Sequence, residues 1–195
     1  GPYWWSDPEN SGGPWIRRDG ERNPEAARKA RELMTGMSHA VRNLGAAWWF
    51  FRDERFSERA AKVLRVWFLD PATRMNPHMR YAQAIPGRCE GRGIGIIDAN
   101  CLMGVVTGAA MVRESPQWPD EAHEALSDWF RTFLDWLLTS GHGRDEAWHG
   151  NNHSTYYTAQ VAAYALFLDD KPIAADMWER YRGYLIPYQM ERDGS

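Results

Sequence analysis

Residues 120–139 read DEAHEALSDWFRTFLDWLLT, the most regular apolar pattern in the chain. The apolar side chains recur at intervals of three and four residues, which places them along one face of an α-helix. They are Ala122, Leu126, Trp129, Phe130, Phe133, Leu134, Leu137 and Leu138. A helix with so continuous an apolar face must be covered by other elements, so this stretch predicts a fold of packed helices.

The same period recurs on both sides of this stretch. Asn23-Pro24 marks a helix start, Asp70-Pro71 marks a helix end, and Asp170 with Pro172 forms a cap and first turn. We find no fixed-period repeat and no segment with the alternation of a strand. The predicted helices cover residues 24–51, 57–70, 97–113, 120–138, 153–168 and 173–188. Six helices without a strand predict an all-α fold.

Long polar loops separate several of these helices, at residues 71–95 and 140–152. Loops of this length inside a compact domain are usually functional. Short and long connections alternate, which favours stacked antiparallel hairpins with the long loops at one end, as in a partial α/α toroid whose loops line a cleft. A simple bundle is the alternative, but a bundle does not need such loops. We therefore expect one domain over 1–195, with an aromatic arm at 1–24 and helices over 25–195.

Composition limits the possible partners. The chain has 195 residues, 44% of them hydrophobic, and a net charge of −3 that includes no basic stripe. This disfavours a nucleic-acid or anionic-membrane surface. The longest apolar run, Cys101 to Val112, is shorter than the roughly 18 residues that a membrane span needs. We expect a water-soluble domain with neither nucleic acid nor membrane as partner.

The cysteine and histidine spacings give weak signals for a disulfide or a metal. Cys89 and Cys101 match no zinc pattern, and either a disulfide or two free thiols would fit. His149 and His153 have the i, i+4 spacing of a metal pair, but Gly150 disfavours a helix between them and no acidic third ligand follows from the spacing. We predict no metal and no cofactor.

The strongest chemical signal is residues 148–157, WHGNNHSTYY, which lead into a helix. Free backbone N–H groups and the helix dipole favour an anion at such a helix start. Asn152 and His153 add side-chain donors, which would withdraw charge from a bound carboxylate and acidify the proton beside it. That chemistry serves β-elimination on a uronic acid. In the alternative interpretation, Asn151 or Asn152 is only the N-cap and His153 is a hydrogen-bonded, half-buried imidazole.

Three separated motifs are found in one order along the chain. They are residues 2–8 (PYWWSDP) with 16–20 (IRRDG), residues 81–87 (YAQAIPG) with 90–98 (EGRGIGIID), and residues 151–153 (NNH) running into 165–168 (ALFL). Together they resemble the alginate lyase-type polysaccharide lyases over essentially the whole chain. The resemblance implies an α/α toroid that cleaves a polyuronate, such as alginate or a glucuronan, by β-elimination. It also implies a periplasmic or secreted protein, because polyuronates are found there.

The resemblance also assigns roles to individual residues. Asn152 and His153 match the pair that neutralises the uronate carboxylate, with His153 also a candidate base for one C5 configuration. The arginine and tyrosine that complete the family's site lie further along than Ser195. We therefore expect a chain truncated at its C-terminal end, with the missing segment or a second chain completing the toroid. Further predicted contacts to the anionic polysaccharide are Trp4, Trp5, Gln83, Arg88 and Arg92.

Two other functions compete with the lyase. A non-catalytic carbohydrate-binding module would keep the cleft without the missing tyrosine. A glycoside hydrolase would need two carboxylates facing a cleft, for which Asp98, Asp145 and Glu146 are available.

Overall fold

The computed structural model describes residues 2–24, 29–191 and 193–194, and it is all-α apart from one short strand pair. The α-helices of these ranges are α1 Lys29–Phe51, α2 Glu54–Leu64, α3 Leu102–Met111, α4 Asp120–Thr139, α5 Gly141–Ala147, α6 Asn152–Phe167, α7 Lys171–Arg180 and α8 Ile186–Gln189. A π-helical turn extends α2 over Arg65–Leu69, and a second joins α7 to α8 over Tyr181–Leu185. A 3₁₀ segment, Gly93–Cys101, leads into α3.

Helix α4 supplies the centre of the core, as its apolar pattern predicts. Every residue of the predicted face is buried except Leu138, which is 37% exposed. The ring of Phe130 lies 5.8 Å from Phe68 and 5.2 Å from Tyr164. Since these three rings belong to the turn after α2, to α4 and to α6, one aromatic cluster joins distant parts of the chain.

Helix α1 packs against α2 and α3. It crosses α3 closely, because a Cβ on Gly45 would lie 2.7 Å from the carbonyl oxygen of Gly108. The predicted end of α1 at Phe51 is confirmed. Its predicted start at Pro24 adjoins residues 25–28, which lie outside the described residues. Leu33 and Phe51 belong to the predicted apolar pattern but are 52% and 74% exposed.

Residues 140–152 are not one loop, because they contain helix α5. The Ser140 hydroxyl accepts a hydrogen bond from the Gly143 backbone N–H at 3.0 Å and caps this helix. A Cβ on Gly143 would lie only 1.8 Å from the Leu137 carbonyl oxygen, so the glycine permits close packing against α4. Gly143, which favoured a loop in the sequence, therefore permits a tight helix junction.

The aromatic arm contains the strands that the sequence pattern missed. Strands β1 (Trp4–Trp5) and β2 (Ile16–Arg17) pair antiparallel, with Trp4 opposite Arg17. Two residues are too few to produce a recognisable alternation, which is why no strand was predicted. The arm rests on the loop before α3, where the Trp15 N–H donates to the Pro86 carbonyl at 3.1 Å.

The 3₁₀ segment and α3 form one helical stretch, Gly93–Met111, with a mean hydropathy of 1.6. It is therefore longer than the apolar run counted in the sequence, and by length and composition alone it could cross a membrane. Five of its apolar side chains are less than 1% exposed within the protein: Ile96, Ala99, Leu102, Val105 and Ala109. The stretch contacts α1, α5 and α6, so it is a core element of this fold.

Helices α7 and α8 are only partly covered. The apolar side chains of α7 and of the turn that follows it include Ile173, Met177, Trp178, Tyr181 and Leu185. Trp178 is 60% exposed, whereas Leu185 is 1% exposed and packed. Ile173 and Met177 are half-buried against the core, so the exposed part of this face consists of the Trp178 and Tyr181 rings.

Candidate active site

The start of α6 is fixed by Asn151. The Asn151 side-chain oxygen accepts a hydrogen bond from the His153 backbone N–H at 3.0 Å, which makes Asn151 the N-cap. Asn152 is then the first helical residue and is exposed. The cap and the predicted anion donors are thus different residues, and Asn152 and His153 stand together at the positive end of a 16-residue helix.

A buried carboxyl group holds the His153 ring. Nδ1 of His153 lies 2.9 and 3.0 Å from the two carboxyl oxygens of Glu146 on α5. Glu146 is fully buried and also accepts a hydrogen bond from the Ile97 backbone. This contact fixes the ring and leaves Nε2 of His153 available to a ligand.

The electrostatics of this pair favour neutral side chains. Burial raises the pKa of Glu146 from 4.5 to about 8, and the nearby charges of Asp145 and Asp98 act in the same direction. Burial also lowers the pKa of His153, and the positive charge of Arg92 adds to that effect. Below about pH 8 the pair therefore holds one proton that it lacks above that pH.

A second polar network approaches from the loop before α3. Nε of Arg92 donates to the Gln83 carbonyl and its Nη2 to Gln83 Oε1, both at 3.0 Å. The Gln83 amide nitrogen is 3.4 Å from Asp98 Oδ2, and Arg31 Nη1 is 3.3 Å from Asp98 Oδ1. Gln83 has a φ of 51°, an unusual backbone conformation that its contacts with Arg92 stabilise. Burial raises the pKa of Asp98 despite the Arg31 charge.

The network of Arg92, Gln83 and Asp98 lies close enough to His153 to influence its charge. The negative charge of Asp98 raises the pKa of His153, and the positive charge of Arg92 lowers it. Helix α5 packs against both the 3₁₀ segment and α6. The structure thus brings Gln83 and Arg92 to the same region as His153. These are three of the residues predicted from the sequence to contact substrate.

The Arg88 side chain contacts the aromatic arm, and Trp5 makes its hydrogen bond within that arm. The Arg88 guanidinium carbon is 5.2 Å from the centre of the Trp4 ring, and its Nε donates to the Trp15 carbonyl. Nε1 of Trp5 donates to the Glu21 carbonyl at 3.1 Å. Contact of these three side chains with substrate stays a prediction.

Sequence reasoning missed the role of Glu146 as partner of His153. Glu146 was considered only as a carboxylate for hydrolysis, since it lies in a segment predicted to be a loop. In a single helix, its seven-residue separation from His153 would put the two side chains two turns apart and out of contact. They meet because α5 ends and α6 begins between them. The ion pair of Arg31 with Asp98 could not be predicted either, since it joins α1 to the 3₁₀ segment.

Neither a disulfide nor a metal cluster occurs in the part of the chain that the structure describes. Cys89 and Cys101 are free thiols, both half-buried. The rings of His149 and His153 lie 5.3 Å apart, but no three His, Cys, Asp or Glu side chains converge within the described ranges in a way that would hold a metal ion.

Comparison with known proteins gives a family match and a close structural match. The family model described as alginate lyase matches residues 1–195. The solved structure of an alginate lyase from Bacteroides ovatus superposes with a TM-score of 0.93 at 36% sequence identity. The match covers 100% of this chain and 52% of that chain, so this chain spans about half the length of its relative. Comparison with curated proteins gave no match.

Proposed function

The chain belongs to the alginate lyase family, and from that premise we propose that it is a polysaccharide lyase that cleaves a polyuronate, alginate or a glucuronan, by β-elimination. The observation that carries the proposal is the pair of Asn152 and His153 at the start of α6, with the His153 ring held by the buried Glu146 at 2.9 Å. The family's usual substrates are extracellular, so we also infer a periplasmic or secreted protein.

The reaction requires the uronate carboxylate to accept negative charge. A base removes the proton on C5, the C–H electrons form the C4–C5 double bond, and the glycosidic oxygen leaves C4 and takes up a proton. Charge that develops on the carboxylate is stabilised by donors fixed in advance. In our proposal, the Asn152 amide and Nε2 of His153 supply those donors, and the dipole of α6 adds to them.

The proton held by Glu146 and His153 suits this task. With that proton present, Nε2 of His153 donates while Nδ1 is held by Glu146, so the pair meets the substrate carboxylate without adding a negative charge. Arg92, held by Gln83, supplies positive charge in the same region and is proposed to face a carboxylate of the same polymer. By the resemblance, the tyrosine that exchanges protons with C5 and with the leaving oxygen lies further along than Ser195.

The test is turnover of an oligouronate by the full-length protein, followed through the ultraviolet absorbance of the unsaturated product. We expect Asn152→Ala and His153→Ala each to lower turnover by roughly two to three orders of magnitude, the size of effect seen when one preorganised donor is removed. Asn152→Ala should retain the wild-type unfolding temperature, since Asn152 is exposed. His153→Ala removes the partner of the buried Glu146 and should lower that temperature, so its turnover is measured well below its own unfolding transition.

Each competing function predicts a different result. A binding module would bind the oligouronate, more weakly at higher ionic strength, and form no unsaturated product. A hydrolase would release reducing ends without that absorbance. Either outcome would contradict the lyase mechanism.

A further inference from the structure

Three aromatic rings, two of them exposed and one half-buried, lie directly beside the candidate active site, and we call Trp148, Tyr184 and Tyr188 the aromatic platform. Trp148 is 64% exposed and Tyr188 is 61% exposed, which is unusual for rings of this size. Tyr184 lies between them, with its ring centre 5.5 Å from that of Trp148 and 5.5 Å from that of Tyr188. The three rings therefore form one contiguous cluster, edge to face between Trp148 and Tyr184 and stacked between Tyr184 and Tyr188.

Arg180 holds the platform in place. Its guanidinium carbon lies 4.7 Å from the centre of the Trp148 ring and 5.3 Å from that of Tyr184. The guanidinium is itself fixed, because it donates to Ser154 Oγ at 3.1 Å and Thr158 Oγ1 at 3.2 Å on α6. Arg180 covers one face of Trp148, and the large exposed fraction of that side chain leaves the opposite face to solvent.

The platform is continuous with the start of α6. A Cβ on Gly150 would lie 3.1 Å from the Tyr188 hydroxyl oxygen, so this ring sits against the residue before the N-cap. The next residue, Gln189, donates from its amide to the Asn151 carbonyl at 2.9 Å and accepts from the Thr155 hydroxyl at 2.8 Å. The position of the platform relative to Asn152 and His153 is thus fixed by direct hydrogen bonds.

From this arrangement we propose that the aromatic platform is a sugar-binding subsite, on which pyranose rings of the uronate chain next to the cleaved unit stack. A pyranose ring has faces lined by C–H groups, and these carry the partial positive charge that the negative face of an aromatic ring attracts. The underlying Arg180 makes the local field positive, which suits carboxylates at the edge of such sugars. The proposal rests on the proposed function for the identity of the polymer.

The α7 helix provides a matched control. Trp178 is 60% exposed, nearly as much as Trp148, but its ring lies against Tyr181, 6.2 Å away, and is no part of the platform. Trp178→Ala removes an equally exposed indole from the same end of the chain. A general effect of lost surface tryptophan would therefore be the same in both variants.

The experiment measures the dissociation constant of a hexauronate by calorimetry for wild type, Trp148→Ala, Tyr188→Ala and Trp178→Ala. We expect each platform variant to weaken binding about tenfold, equivalent to about 1.4 kcal/mol at 25 °C, and Trp178→Ala to leave it within about twofold. The loss should shrink when a diuronate replaces the hexauronate, because fewer sugar units reach the platform. In turnover, the platform variants should raise KM more than they lower kcat.

Two results would overturn the subsite. One is unchanged hexauronate binding in both platform variants. The other is a loss of binding in Trp178→Ala as large as in Trp148→Ala, which would make the effect a general one of lost surface tryptophan. Failure of the proposed function gives a separate signature: the platform variants still weaken binding, while the wild-type protein forms no unsaturated product or His153→Ala forms it at the wild-type rate. A wild-type protein that binds no hexauronate would overturn both proposals.

Discussion

Glu54 and Glu146 are both hydrogen-bonded glutamates at helix junctions, yet their pKa values shift in opposite directions. Glu54 accepts from the hydroxyls of Ser115 and Ser57 at 2.7 Å each and from Nε1 of Trp48 at 3.2 Å, and these donors lower its pKa. Glu146 is fully buried beside the acidic Asp145, and burial raises its pKa to about 8.

The difference lies in what surrounds each carboxyl group. Three donors from three parts of the chain stabilise the charged form of Glu54, which joins α1, α2 and the turn before α4. Glu146 faces a histidine that shares a proton with it. A carboxyl group that titrates near neutral pH is suited to proton exchange, whereas one held ionised is suited to structure. Under the proposed function, the contrast separates a structural glutamate, Glu54, from one that serves the reaction, Glu146.

The largest effect that would test this contrast is on turnover. Glu146→Gln keeps the shape of the side chain and a hydrogen bond to His153, but it cannot share a proton with the ring. We expect kcat to fall by roughly 10- to 100-fold, as for partners that orient a functional histidine. Steady-state kinetics with the oligouronate measures this. In the control, Glu54→Gln should leave kcat within about twofold; equal losses in both variants would remove the distinction.

The second test is the pH dependence of stability. Since the folded state raises the pKa of Glu146 from 4.5 to about 8, it binds more protons than the unfolded state between these values, and stability falls as pH rises. The lowered pKa of His153 has the opposite effect only below its unfolded value of 6.5. Between pH 6.5 and 8, wild type should therefore lose on the order of 1 to 2 kcal/mol relative to Glu146→Gln.

Glu54 should show the reverse sign. Its pKa is lowered from 4.5, so its stabilisation is complete above that pH and is lost as pH falls through the folded value. Denaturant unfolding of wild type, Glu146→Gln and Glu54→Gln across the pH range distinguishes the two groups. A wild type that gains stability relative to Glu146→Gln between pH 6.5 and 8 would contradict the raised pKa.

The smallest expected effect concerns a donor to Glu54. Ser115 is buried and lies 61 residues from Glu54 in the chain. Ser115→Ala removes one hydrogen bond to the carboxylate and should lower the unfolding temperature by roughly 2 to 4 °C. Calorimetry against Ser127→Ala makes the comparison, because the Ser127 hydroxyl donates to the His123 carbonyl of its own helix. Equal unfolding temperatures would show that the donor network around Glu54 contributes little.

Much of the fold follows from local pattern. The face of α4, the end of α1 at Phe51, and the cap of α7, where the Asp170 side chain accepts from the Ile173 N–H at 3.1 Å, agree with the sequence. Local pattern failed where a short element depends on its neighbours. Helix α5 has seven residues and two glycines, and it forms because Ser140 caps it and α4 supports it. The strands of the arm have two residues each, too few for a periodic pattern to be detected.

The sequence by itself determined the helical faces, the family, and the placement of Asn152 and His153 at a helix start, because each depends on neighbouring residues or on matched motifs. Only the tertiary structure decided which side chains meet there. Arg88 and Arg92 are four residues apart in one loop, yet Arg88 contacts Trp4 whereas Arg92 holds Gln83 near His153. Likewise, nothing in the order of residues distinguishes Glu146 from Glu54. Their pKa values depend on burial and on donors from other elements, and packing alone sets both.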